Sequence, residues 1–329
     1  MTDENVAKST TSDAPKVNES RSPGQLAWRR FKRDRTGVIS AFIVIAFFVI
    51  ALAAPLISKL YGKDPYTTYG LNTPGLLGDN SYPVKPNGGI DSEFWFGIEP
   101  GLGRDVFTFL LYAIRNSLLI ATAITLLVVI IGVVLGVTAG YVGGKTDWFI
   151  GRVIDILLAF PSQLFFVAFT PVVLAIFVRP DENTPMWLIV GSLVLLLTVF
   201  GWASIARLLR GQVLALRERE FVEAAKVTGA SPARIIFKEL LPNLWTPILI
   251  QATLNLPLMV TTEAGLAFLG VGIKDPTPDW GVMIGRAAQV YQDDITFLLF
   301  PGLAMVIFVL AFNLLGDSVR DALDPKTKR

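Results

Sequence analysis

The sequence predicts an all-α, polytopic membrane protein with six transmembrane helices, and three observations lead there. Apolar side chains make up 52% of the 329 residues and charged ones only 17%, which is more apolar than soluble chains usually are. Uncharged runs occur at Val38–Ile57, Ser117–Val142, Ile156–Val178, Met186–Ala206, Leu244–Thr262 and Ile295–Leu315. Each is about the roughly 20 residues a helix needs to cross hydrocarbon. Lysine and arginine also alternate between the connecting segments as the positive-inside bias requires. With the N-terminus inside, the segments expected in the cytoplasm carry 21 of the 29.

Along the chain, residues 1–24 are rich in Ser, Thr, Asn and Asp without apolar periodicity and read as a disordered cytoplasmic tail. Residues 25–58 form an amphipathic segment and the first span. An "ALA" before Pro55 resembles a signal-peptide cleavage site. The polar region before the run and the run itself are both too long for a removable signal, so a retained signal-anchor is expected. An external loop, residues 59–116, follows, and a five-span core occupies 117–316. Residues 317–329 are expected as a second cytoplasmic tail.

Within the second span Gly132, Gly136 and Gly140 recur every four residues and line one helix face, where missing side chains let another backbone approach. The adjoining "GYVGGKTD" at Gly140–Asp147 approaches the phosphate-cradling pattern G-x-x-x-x-G-K-[ST]. Its first glycine is one residue too close, position 139 being Ala139, and it follows a membrane helix instead of a strand. A short turn between helices is expected there. The chain has no cysteine and no histidine, which removes thiolate chemistry, histidine acid–base catalysis and nearly all zinc sites. The net charge of +2 follows from the loop asymmetry and gives no reason to expect nucleic acid.

The fifth span carries Gln251, Asn255 and Glu263 together with Pro247 and Pro257. Glu263 lies well inside the apolar stretch, where a charge costs roughly 2.5–3.5 kcal/mol on the insertion scale. Either it reaches headgroup water near the external end, or it serves a pathway or gate. The two prolines remove backbone hydrogen bonds and suit a bent helix. A bent, partly polar helix fits the wall of a translocation path, to which Gln251, Asn255 and Glu263 are assigned.

Between the fourth and fifth spans, residues 207–243 hold seven basic and four acidic side chains. Burying eleven charges would cost on the order of 30 kcal/mol, so this loop stays in water. A helix is expected from about Arg210 to Thr228, with Phe221, Ala224, Ala225 and Thr228 on one face. Gly229 ends it in a left-handed conformation. Ser231 and Pro232 start a short second helix, with Ile235, Ile236, Phe237, Leu240 and Leu241 as its apolar surface and Pro242 as its end. Such a unit is too small for its own core. It reads as a surface for a soluble partner, with an amphipathic loop lying on the membrane as the alternative.

At these residues the chain resembles the membrane subunits, or permeases, of ABC importers. Their signature is E-A-A, three residues, G, nine residues, I, one residue, L-P. Glu223, Ala224, Ala225, Gly229, Leu241 and Pro242 match it, and Glu239 stands at the isoleucine position. Four further stretches are similar to the second-type permease of dipeptide and oligopeptide importers: "GRDVFTFLLYAIRNSLL", "DILLAFPS", "EAGLAFLGVGIKDPTPDWG" and "FNLLGDSVRDALDP". Where that branch shows L-G-T-D-x-x-G-R-D, this chain has "FGIEPGLGRD", with one additional residue, after an expanded external loop.

The resemblance implies a type I ABC importer permease fold in a bacterial or archaeal plasma membrane, with both termini cytoplasmic. The partners it implies are a homologous permease, two ATPase subunits and an extracellular or periplasmic substrate-binding protein. ATP and Mg would bind the ATPase subunits and no cofactor this chain. The coupling surface is then expected at Glu223, Ala224, Ala225, Gly229, Ala230, Ser231, Pro232 and Arg234. Peptides are the expected cargo, with a nickel chelate or another solute as the alternative. A secondary transporter would normally carry more ionisable groups in its spans. A structural scaffold would not call for the polar fifth span.

Overall fold

The computed structural model describes residues 23–179 and 184–323. Of the tail expected over residues 1–24 only the last two residues fall in that range, and residues 324–329 lie outside it. In chain order the elements are α1 (Pro23–Arg33), α2 (Arg35–Tyr61), the single turns α3 (Tyr69–Asn72) and α4 (Pro86–Gly89), α5 (Val106–Val142), α6 (Gly144–Ala159), α7 (Ser162–Phe177) and α8 (Met186–Leu216). Then come α9 (Glu220–Val227), α10 (Pro232–Arg234), a π-helical stretch at Ile235–Leu240, α11 (Leu241–Phe268), α12 (Trp280–Val290) and α13 (Thr296–Leu323).

Five segments are long and apolar enough to cross a membrane: Arg35–Tyr61, Val106–Val142, Met186–Leu216, Pro232–Phe268 and Thr296–Leu323. The third expected span is corrected. Instead of one straight helix over Ile156–Val178, α6 and α7 meet at 90°, so a sixth crossing exists only as a broken span. The cause is local. Pro161 disfavours a helical conformation at the residue before it, and Phe160 is extended at φ −80° and ψ 135°. Residues 317–323, where the second tail is expected to begin, continue α13 as helix.

The second span begins earlier than its uncharged run. Asp105 accepts hydrogen bonds from the Thr108 backbone N–H (2.7 Å) and hydroxyl (2.8 Å), capping α5 at Val106. With 37 residues α5 is about 55 Å long, well beyond the ~30 Å of hydrocarbon. It is the central shaft of the fold. Its glycine face packs on α8 as the spacing predicts: a Cβ on Gly136 would stand 2.7 Å from the Ala206 carbonyl, and one on Gly140 2.7 Å from Val213 Cβ. Ile124, Val128, Ile205, Leu209 and Val213 fill the seam and are fully buried. On the outside, large side chains such as Phe42 (73% exposed), Leu52 and Leu310 point away from the core, an apolar surface that suits lipid.

The segment after α2 is a folded cap over one end of α5. Within it Arg104 holds Glu99 through two contacts (2.5 and 3.1 Å) and Asp275 through a third (2.8 Å). Arg286 closes the ring on Glu99 (2.7 Å) and Asp275 (2.8 Å). Glu99 and Arg104 are buried, and the ring ties the cap to the segment between α11 and α12.

Candidate functional site: the loop between α8 and α11

At the other end of α5 the chain turns at Gly143 and Gly144, both with positive φ, which is the short helix–helix turn expected for "GYVGGKTD". α8 runs through Arg207 and Arg210 to Leu216, so the expected helix from about Arg210 to Thr228 is corrected. The chain breaks at Arg217–Arg219 and restarts as α9. Three of the loop's seven basic residues are tied back. Arg207 pairs with Asp155 (2.6 Å), Arg210 grips Asp147 with both ends of its guanidinium, and Arg217 donates to the Gly140 carbonyl (3.0 Å). These contacts splint α8 to α5 and α6, and they project α9 beyond the spans.

The turn itself follows local chemistry. Gly229 has φ +78°, and its N–H donates to the Lys226 carbonyl (3.0 Å). The Thr228 hydroxyl closes the last turn of α9 on the Ala224 and Ala225 carbonyls (3.0 Å each). Ser231 then accepts from the Arg234 N–H (3.3 Å) with Pro232 at the first helical position.

The expected apolar face of α9 is corrected. Val222 is the fully buried anchor, with Ala225 and Ala230 half-buried beside it, while Phe221, Ala224 and Thr228 are exposed. Val222 is absent from the face that the spacing predicts. The spacing of Val222 to Ala225 was the available signal.

Pro242 does not close the second helix. The backbone stays helical through a π stretch, where the Leu241 N–H reaches the Ile236 carbonyl, and passes directly into α11. A widened turn accommodates a proline, whose missing N–H and ring disrupt ordinary α geometry. Ile235 and Leu240 are buried under this stretch, so Leu240 supplies the apolar anchor beside Glu239. The resulting tip is exposed. Glu223, Ala224, Lys226, Gly229, Ser231, Pro232 and Arg234 all face outward, as do Val227 (87% exposed) and Phe237 (68%). The side chains of Glu223, Lys226 and Arg234 make no ion pair among the described residues.

The residues assigned to a path are spread along one helix, α11. Gln251 is half-buried, and Asn255 is buried with its amide donating to the Gln251 carbonyl (2.9 Å). Glu263, two turns further along α11, is 0% exposed. The headgroup-reaching alternative for Glu263 is overturned by that burial. Pro247 and Pro257 lie within one continuous helix. Asp279, which the sequence reading did not single out, faces Glu263 from the cap of α12.

Residues 132–329 match the family described as binding-protein-dependent transport system inner membrane component. Residues 22–77 match the N-terminal TM domain of oligopeptide transport permease C. The chain is 36% identical to the dipeptide transport system permease protein DppC of Alkalihalophilus pseudofirmus, over 93% of this chain and 91% of that one. It is 33% identical to the oligopeptide transport system permease protein OppC of Bacillus subtilis, over 98% and 96%. With the glutathione transport system permease protein GsiD of Shigella flexneri it shares 36%, over 95% and 94%. A chain of the inward-facing MetNI methionine ABC transporter has the same fold at TM-score 0.53 and 20% identity, over 66% of this chain and 96% of that one. The type I ABC importer permease fold expected from the sequence is therefore the fold found, and the chain belongs to the family of binding-protein-dependent transport system inner membrane components.

Proposed function

We propose that this multi-pass membrane protein is one of two permease subunits in an ATP-driven importer of short peptides, and that the α9–α10 turn is its coupling element. The single observation that carries the coupling reading is the exposed tip. Glu223, Ala224, Gly229, Ser231, Pro232 and Arg234 lie exposed together on a splinted projection, with half-buried Ala225 and Ala230 among them and unpaired charges and exposed Val227 and Phe237 around them. A rim of unpaired charge around small and apolar side chains is the composition of a docking surface for a soluble partner.

In this reading the tip seats on one of two ATPase subunits, which bind ATP and Mg. A homologous permease completes the path, and an external binding protein delivers cargo on the cap side. Both termini and the tip are cytoplasmic, in a bacterial or archaeal plasma membrane. Closure of the ATPase pair moves the tip, and the continuous helix from Pro232 to Phe268 carries that displacement into the fifth span. Gln251 borders the path, while buried Asn255 and Glu263 support its wall from behind. Peptide cargo is supported by the relatives' names, which specify dipeptide, oligopeptide and glutathione transport.

The test is reconstitution of the two permeases with and without the ATPase subunits and binding protein. ATP hydrolysis and labelled peptide uptake are measured in the same vesicles. Peptide uptake that needs both ATP and the ATPase subunits is expected. Uptake driven by an ion gradient without them would defeat the reading.

A further inference from the structure

Glu263 poses a problem that its place in the family leaves open. Both of its carboxyl oxygens are buried without a hydrogen-bond partner, and the side chain is fully enclosed. What it faces is a second carboxyl group, Asp279, and the Ser117 hydroxyl. Asp279 is equally enclosed and well supplied with donors. Its Oδ1 accepts from the Gly281 (2.9 Å) and Val282 (3.1 Å) N–H groups, and its Oδ2 accepts from the Ser117 hydroxyl (2.9 Å). Three elements meet here: Glu263 comes from α11, Asp279 from the start of α12 and Ser117 from α5. Among the described residues neither carboxyl forms an ion pair with a lysine or arginine. The two arginines of the cap ring, Arg104 and Arg286, are committed to Glu99 and Asp275.

We propose that Glu263, Asp279 and Ser117 form a proton-binding site that holds one proton between the two carboxyl groups. Two facing carboxylates, both desolvated and without a counter-charge, repel each other and each forgo hydration. One added proton removes the repulsion and turns one carboxyl into a donor for the other, which relieves a buried oxygen left without a partner. The three donors already on Asp279 favour its ionised form, so the proton lies toward Glu263. A metal ion fits less well. Hard cations gather about six oxygen ligands, whereas here the Glu263 oxygens alone are not already engaged.

The sign of the linkage is defined. Burial pushes the Asp279 carboxyl above the ordinary carboxylate range, so the folded pair holds its proton more tightly than an unfolded chain does. The stabilisation is present at acid pH and lost as pH rises through the titration of the folded pair. The site thereby makes the packing of α11 and α12 on α5 depend on one proton.

The experiment uses the complete importer in lipid nanodiscs, with Tm followed from mildly acid to mildly alkaline pH. Wild type is expected to lose several degrees toward the alkaline side. Glu263→Gln, which carries a permanent neutral donor of nearly the same shape, is expected to keep the acid-side Tm at every pH and to lose that dependence. Glu263→Ala is expected to be lower throughout. A carbonyl stretch of a protonated carboxyl should appear in the infrared spectrum of wild type and vanish in Glu263→Gln. The proposal is overturned if Glu263→Gln keeps the wild-type pH slope or is as unstable as Glu263→Ala. It is also overturned if replacing choline by sodium at fixed pH raises the Tm of wild type alone, which would make this a sodium site.

Discussion

The two ends of α5 handle charge in opposite ways. At the cap end Arg104 and Glu99 are buried and satisfy one another within a four-membered ring that also takes in Asp275 and Arg286. At the loop end Glu223, Lys226 and Arg234 are exposed, and their side chains pair with nothing among the described residues. A buried charge without a partner costs several kcal/mol, so the cap must complete its network within the chain. An exposed charge costs little in water and stays available. The cap is therefore a self-sufficient structure, whereas the tip is a surface shaped for something else.

Arg104→Ala is the most damaging way to break this contrast. It leaves Glu99 buried with only Arg286 as a cation, and a loss of about 3–5 kcal/mol in stability is expected. The purified complex should show it as a large fall in Tm and as rapid proteolysis of the cap. A Tm within a degree or two of wild type would mean that the ring is not what holds the cap.

The shaft between the ends comes next. Gly136→Val places a Cβ against the backbone of α8, where no side-chain rotation relieves the overlap, and about 1–3 kcal/mol of destabilisation is expected. Cysteine cross-linking between α5 and α8 measures the separation directly, with no native cysteine to interfere. An unchanged cross-linking yield would contradict the close approach.

At the tip the expectations invert, with small effects on stability and large ones on coupling. Nothing lies within 4 Å of a Cβ placed on Gly229, so Gly229→Val costs only backbone strain. At φ +78° that strain is about 1–2 kcal/mol, somewhat more for a β-branched residue. The variant should insert and fold, yet hydrolyse ATP without proportionate uptake. Glu223→Lys should change stability by less than about 0.5 kcal/mol while weakening assembly with the ATPase subunits, in a manner that depends on salt. If both variants keep wild-type linkage between hydrolysis and uptake in the same vesicles, the tip is not the coupling element.

Much of the tip was legible because its chemistry is local. Gly229, Ser231 and Pro232 each specify backbone angles within a residue or two, and all three behave as their types predict. Less was legible about what covers them. Val222 and Leu240 are buried through contacts with other elements, which the residue types by themselves do not specify. The continuation through Pro242 was hidden for a similar reason. Proline reads as a stop in α geometry, and only a widened π turn lets the helix pass it.

By itself, the sequence determined the membrane class, the location of the apolar segments, the glycine seam of α5 and the turn at the tip. Each of these follows from a constraint acting over a short length: the exclusion of charge from hydrocarbon, the absence of a Cβ, or the φ a residue tolerates. Tertiary structure decided which side chains of the tip are covered, burying Val222 and Leu240. It also assembled the Arg104 ring and paired Glu263 with Asp279. Those outcomes join groups far apart in the chain, Ser117 and Asp279 being 162 residues apart. Such contacts are set by how whole helices pack, through many weak interactions that no single stretch of sequence carries.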